Sequence, residues 1–232
     1  EIADVISDGQ QVDPTFVPTL EVAGNPFNLG VAQMGPANYD VVCNYTGGPG
    51  AECTADDPAA NDGTTRLVST NPSFEEGNDG QAAGWSYWRK PDVPPEKPLG
   101  RMLRSRDVAH SGEHSLLCDA MLRGGPVQTL AAPKPGRYVA IAWIHAPAGQ
   151  TSPGTVELTV TPLDEQGRNL PGYSSGHVQP HPGRWTLVTL GMEIPEKIGG
   201  SRVVRVRLVP IVDGFQAGGQ VSFDDVGLHR IE

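Results

Sequence analysis

The chain has 232 residues, with 29 Gly, 22 Pro and 19% charged residues, enough for one large domain or for one domain plus an extension. Its formal charge of −10 lies wholly in residues 1–65, which hold ten acids and no Lys, Arg or His; residues 66–232 balance 17 acids against 17 Lys and Arg. Phosphate binding needs a basic surface, so this balance argues against a nucleic-acid partner, and no apolar run approaches the roughly 18 residues of a membrane span.

Residues 1–65 contain short apolar pieces, DVIS, TFVPTLEV, FNLGVAQM and YDVVCNY, separated by Gly, Pro or Asn. Too few large apolar residues are present for a core of its own. The segment is therefore expected to be an extended acidic arm, or the tail of a preceding domain, that packs on something else. Cys43 and Cys53 flank the Gly-rich stretch NYTGGPGAE. Cysteine arithmetic favours a disulfide between them over two free thiols, which fits an oxidising, extracellular compartment. The chain begins without a visible signal peptide, as a mature secreted protein or a cut piece would. The acids Asp56, Asp57 and Asp62 with Asn61 miss the EF-hand spacing and read as a turn-rich linker.

From Arg66 onward the pattern changes to apolar/polar alternation at β spacing. Strands are expected near 65–69, 84–88, 102–109, 114–122, 126–132, 137–146, 155–164, 184–194, 202–212 and 220–229. In RVVRVRL the residues Val204, Val206 and Leu208 face one way, and Arg205 and Arg207 the other. Ten short strands with turn signals between them indicate an antiparallel sandwich or barrel, all-β in class. Cys118, inside SLLCDA, is expected to be unpaired and buried.

The order of landmarks LVSTNPSFEEG, GW, DVAHSGEHSLL, GRYVAIAWIHA, GRWTLVTL and VSFDDVGL resembles the galactose-binding-like jelly rolls of carbohydrate-binding module families 4, 9 and 22, over residues 67–229. The resemblance implies a jelly-roll β-sandwich for residues 66–232. It also implies packing roles for Trp85, Trp143 and Trp185, and a structural Ca²⁺ where the first and last strands meet. The carboxylates available for that ion are Glu75 or Glu76 and Asp224 or Asp225, with Glu75 and Asp225 preferred and loop carbonyls near Ser111 completing the oxygen shell.

No HExxH, GxSxG, P-loop or dinucleotide motif occurs, so the expectation is a non-catalytic protein. The first function expected is binding of a polysaccharide or glycan. Aromatics outside the core landmarks are Tyr87, Trp88, Tyr173 and Phe215; Arg101, Arg104 and Gln128 are candidate hydrogen-bonding partners, and a Pro-rich loop after Trp88 is a candidate cleft edge. A second possibility is an extracellular assembly subunit whose residues 1–65 pair with a neighbouring copy. The strand carrying Arg202, Arg205 and Arg207 is then the candidate receptor. A third is an accessory module cut from a larger glycosidase.

Overall fold

The computed structural model describes residues 65–78, 80–90, 100–131, 134–151, 154–215 and 218–231, with side chains from Leu67 onward. The arm, the Cys43–Cys53 pairing and the Pro-rich loop at 91–99 lie outside the described residues. Every regular element described is a strand. They run β1 (Thr65–Leu67), β2 (Gly77–Asn78), β3 (Gln81–Ala82), β4 (Ser86–Arg89), β5 (Arg101–Ser105), β6 (Ser115–Asp119), β7 (Arg123–Ala131), β8 (Gly136–His145), β9 (Thr155–Leu163), β10 (Tyr173–Val178), β11 (Trp185–Ile194), β12 (Lys197–Ile198), β13 (Ser201–Arg202), β14 (Arg205–Asp213) and β15 (Gln220–Ile231).

Two antiparallel sheets face each other. The six-stranded sheet has the order β11-β8-β15-β6-β5, with β1 also on β15, and the five-stranded sheet the order β10-β9-β14-β7-β4. Alternation places one side chain of each pair between the sheets. Val156, Leu158 and Val160 of β9, Val206, Leu208 and Val212 of β14, Ala140, Ala142 and Ile144 of β8, and Val221, Phe223 and Leu228 of β15 form this core. The split of Val206 and Leu208 from Arg205 and Arg207 is as the alternation predicts. The jelly-roll sandwich implied by the landmarks is the fold observed. β10 was not anticipated: YSSGHV offers no alternation and carries a Gly, and its register on β9 shifts between Ser174 and His177.

β15 is the hinge pin of the larger sheet. One side pairs with β8; the other pairs first with β6 through Gln220–Phe223 and then with β1 through His229–Ile231. Between these stretches the register shifts, and Asp225 sits at φ 45°, a left-handed conformation that Asp tolerates better than most residues. The incoming chain fills that gap: Val68 N–H donates to the Leu228 carbonyl at 2.8 Å, Leu228 N–H to Ser69 Oγ at 3.0 Å, and Val226 N–H to the Pro72 carbonyl at 2.9 Å.

Phe215, an aromatic left unassigned by the sequence, is buried in the core, where its ring would lie 2.4 Å from any Cβ at Gly154. Cys118 is a free, buried thiol, and burial pushes its pKa well above the usual range.

Candidate functional site

The carboxylates expected near the first and last strands occupy two separate networks, each anchored on residues 106–114. In the first, Asp224 and Asp225 are fully buried at the β15 bulge. Asp224 Oδ2 accepts the N–H groups of His110 (2.6 Å) and Ser111 (3.0 Å), and its Oδ1 accepts Asp225 N–H at 2.8 Å. Asp225 takes Ser111 Oγ–H on Oδ1 at 2.7 Å and lies 2.7 Å from His110 Nδ1 through Oδ2. The His110 ring stacks on Trp143 with centroids 4.1 Å apart and meets the edge of Trp185 at 5.5 Å. Burial, and then the adjacent Asp225 charge, push the Asp224 carboxyl up to about 8 against the pull of its N–H donors.

In the second network Glu75 Oε1 accepts the N–H groups of Glu113 and His114, each at 2.8 Å, and Glu75 Oε2 lies 2.7 Å from His114 Nδ1. Arg106 Nε donates to His114 Nε2 at 2.8 Å. That nitrogen must therefore be the lone-pair side of the ring, which leaves Nδ1 as the donor to Glu75. Burial raises the Glu75 pKa, but the His114 side chain and the two backbone donors outweigh it and hold it below the usual carboxylate range. Gly112 permits this approach: at φ 62° it has no Cβ, which would lie 2.3 Å from Glu75 Oε1.

Calcium takes six to eight oxygens, several of them carbonyls. Here the groups near Ser111 that face the carboxylates are N–H and O–H donors, and one imidazole lies against Asp225 and another against Glu75. No group of three or more His, Cys, Asp or Glu placed to hold a metal occurs among the described residues. The donor set makes a hydrogen-bonded clasp that ties Glu75 and β15 to residues 106–114.

The six expected sugar contacts do not converge. Gln128 is a buried clip, accepting Thr70 N–H and donating to the Thr70 carbonyl, both at 2.8 Å. Arg104 donates to the carbonyls of Phe74 and Glu75. Arg101 pairs with Asp119 at 2.8 Å on an edge strand of the larger sheet. Tyr87 packs inward with its hydroxyl on the Gly80 carbonyl at 3.1 Å, and Tyr173 donates to the Glu193 carbonyl. Gln128, Arg104, Tyr87 and Tyr173 are thus tied to backbone groups of the fold, and Arg101 stands in an exposed ion pair.

Trp88 is different. It is 37% exposed and is the large apolar side chain left open to solvent among the described residues. Register places Trp88 opposite Gly125, Gly125 in line with Ile211, and Ile211 opposite Glu157, all on the face of the five-stranded sheet turned away from the core. A Cβ at Gly125 would lie 1.9 Å from the Pro210 carbonyl oxygen, so this position next to the indole carries no side chain. One pair further along, Arg123 binds Asp213 and reaches Glu157 at 3.8 Å, and Ser174 Oγ donates to Glu157 at 2.5 Å. An open indole beside a glycine gap, flanked by planar charged groups, forms a shallow platform. Sequence reasoning found Trp88 and missed Gly125, Arg123, Glu157, Ile211 and Asp213; their signal was the shared outward parity on β4, β7, β9 and β14.

No protein-family model matches the chain, and no curated protein matches it. Solved structures do. A cyclase from Fischerella sp. TAU is similar with a TM-score of 0.53 and 16% identity, over 71% of this chain and 96% of that one. The enzymatically active domain of tailspike protein 4 of bacteriophage CBA120 is similar with a TM-score of 0.50 and 16% identity over 70% of this chain; the match spans 21% of the tailspike chain. The CBM22-1 xylan-binding domain of Paenibacillus barcinonensis Xyn10C is similar with a TM-score of 0.48 and 16% identity, over 69% of this chain and 92% of that one. At these identities the first two likenesses establish the shared fold and leave the chemistry to this chain's own residues.

Proposed function

We propose that the chain is an extracellular, non-catalytic glycan-binding module whose ligand lies on the outer face of the five-stranded sheet. The observation that carries this reading is Trp88, open to solvent beside Gly125 and in line with Glu157, with Arg123 and Asp213 in the next outward row. A pyranose presents an apolar C–H face and a rim of hydroxyls. The indole offers a flat apolar surface for the first, and carboxylate and guanidinium planes offer paired acceptors and donors for the second. A flat platform without a deep cleft suits a chain of sugars laid across strands better than a single buried residue. The landmark resemblance to carbohydrate-binding modules supports the same reading.

The test is binding of the full chain to a polysaccharide panel, with affinity measured by calorimetry for wild type, Trp88→Ala and Arg123→Ala. Binding to one glycan class, lost in Trp88→Ala and without release of reducing ends, is expected. Absence of binding to every polysaccharide, or binding untouched by both substitutions, overturns it.

A further inference from the structure

The other outer face, that of the six-stranded sheet, has an unexpected character. Parity turns Val139, Ile141 and Trp143 of β8, Leu187 and Thr189 of β11, and His229 of β15 away from the inter-sheet core. Yet Ile141 is 0% exposed, Trp143 2%, Val139 3% and Leu187 3% within a single chain. These four form a second apolar cluster, joined by Trp185 and Ile231, and every member belongs to the same sheet. Side chains standing side by side on one sheet layer cover each other's flanks but leave their tips in water; burial to this degree takes a facing layer. The 106–114 loop caps one end through His110 on Trp143, and Leu67 lies against Gly227 at another. Ile141, Val139, Leu187 and Thr189 lie between.

We propose that residues 1–64 of this chain dock on this face and make the sandwich a three-layered unit. Thr65 pairs with Ile231 on this same sheet, so the preceding segment enters at the border of the face it would cover. The segment brings apolar pieces of strand length, TFVPTLEV and YDVVCNY among them, and too few large apolar residues for its own core. It holds ten acids and no basic residue; the face it meets is mostly neutral, with Arg137 at the end of the β8 row. Of the receptor strand expected from sequence, Arg205 and Arg207 point from the opposite sheet to the opposite side, and Arg202 stands apart on β13.

The test uses the full chain with a photo-crosslinking benzoylphenylalanine in place of Trp185 or, separately, of Ile231, two half-buried rim positions of the cluster. A third protein carries it in place of Trp88, on the far face. After irradiation, peptides from residues 1–64 are expected in the cross-links from Trp185 and Ile231, at monomer mass, and lost from those made at Trp88. Cross-links found only at dimer mass assign the face to a second copy and overturn the proposal. So does an absence of 1–64 peptides at both rim positions, or equal capture from Trp88.

Discussion

The two outer faces of this sandwich are built on the same alternation and end in opposite states. On the five-stranded sheet the outward residues of β9 are Thr155, Glu157, Thr159 and Thr161, all partly exposed, and β14 adds Arg205, Arg207 and Ile211, also partly exposed, with Val209 the buried member of its row. On the six-stranded sheet the outward residues of β8 include Val139, Ile141 and Trp143, all buried. β9 reads as polar/apolar in strict turn; β8 reads as VAIAWI, apolar on both sides. A strand with one wet face must alternate, whereas a strand covered on both faces need not. Loss of alternation in β8 is thus the sequence's own record of a second buried face.

Substitution tests this contrast most directly. Ile141→Ala is expected to cost about 2–5 kcal/mol, as a truncation inside a packed core does. Ile211→Ala, on the open face, is expected to cost less than about 1 kcal/mol. Urea unfolding of both variants measures the difference, and equal costs would erase the contrast.

The next effect comes from His229, fully buried under the same face, with Nε2 unpartnered among the described residues. Burial pushes its pKa down from 6.5 to about 4. The unfolded chain then binds more protons than the folded one between these values. This histidine therefore destabilises the fold progressively as pH falls from about 6.5 to about 4, by up to about 3 kcal/mol. Asp224, pushed up from 3.8 to about 8, contributes with the opposite sign across the whole of that range. Comparison with His229→Gln isolates the histidine: melts of the variant should lose less stability between pH 6.5 and 4 than wild type. Parallel curves would show that the face admits water.

On the open face, Trp88→Ala should weaken glycan affinity by about tenfold or more, as loss of a central aromatic contact does, while moving Tm by little. A large Tm loss would mean that Trp88 is a packing residue after all. The smallest expected effect is that of chelation. With N–H and O–H donors filling Glu75, Asp224 and Asp225, neither chelator nor added calcium should move the melt. A bound ion at a hundredfold excess over Kd would add about 2.7 kcal/mol, and a shift of that size would restore the oxygen-cage reading of the clasp.

The sandwich was legible because alternation and turn residues are local signals. The approach of NPSF to FDDV, seen in the Val226–Pro72 hydrogen bond, was legible through landmark order. The sugar contacts were not. Tyr87 and Trp88 are neighbours, so one had to face in and the other out, and periodicity alone does not say which; the register to Gly125 and Pro126 decides it. Gln128 and Arg104 look like free polar groups in one dimension and prove to be clips across 58 and 30 residues of sequence. Likewise nothing local in DVAHSGEHSLL shows that His110 and His114 each lie against a carboxylate from a distant segment.

One more consequence follows from β15. Its twelve residues stand near the middle of the larger sheet, paired with strands that begin more than 100 residues earlier in two of three cases. During synthesis the sheet stays without its central member until Ile231 has left the ribosome, so β8 and β6 wait unjoined while nearly the whole domain is already outside. Such late, long-range pairing belongs to the slow end of folding, milliseconds to seconds, and in that interval the bare edges of β8 and β6 are surfaces for a chaperone to shield.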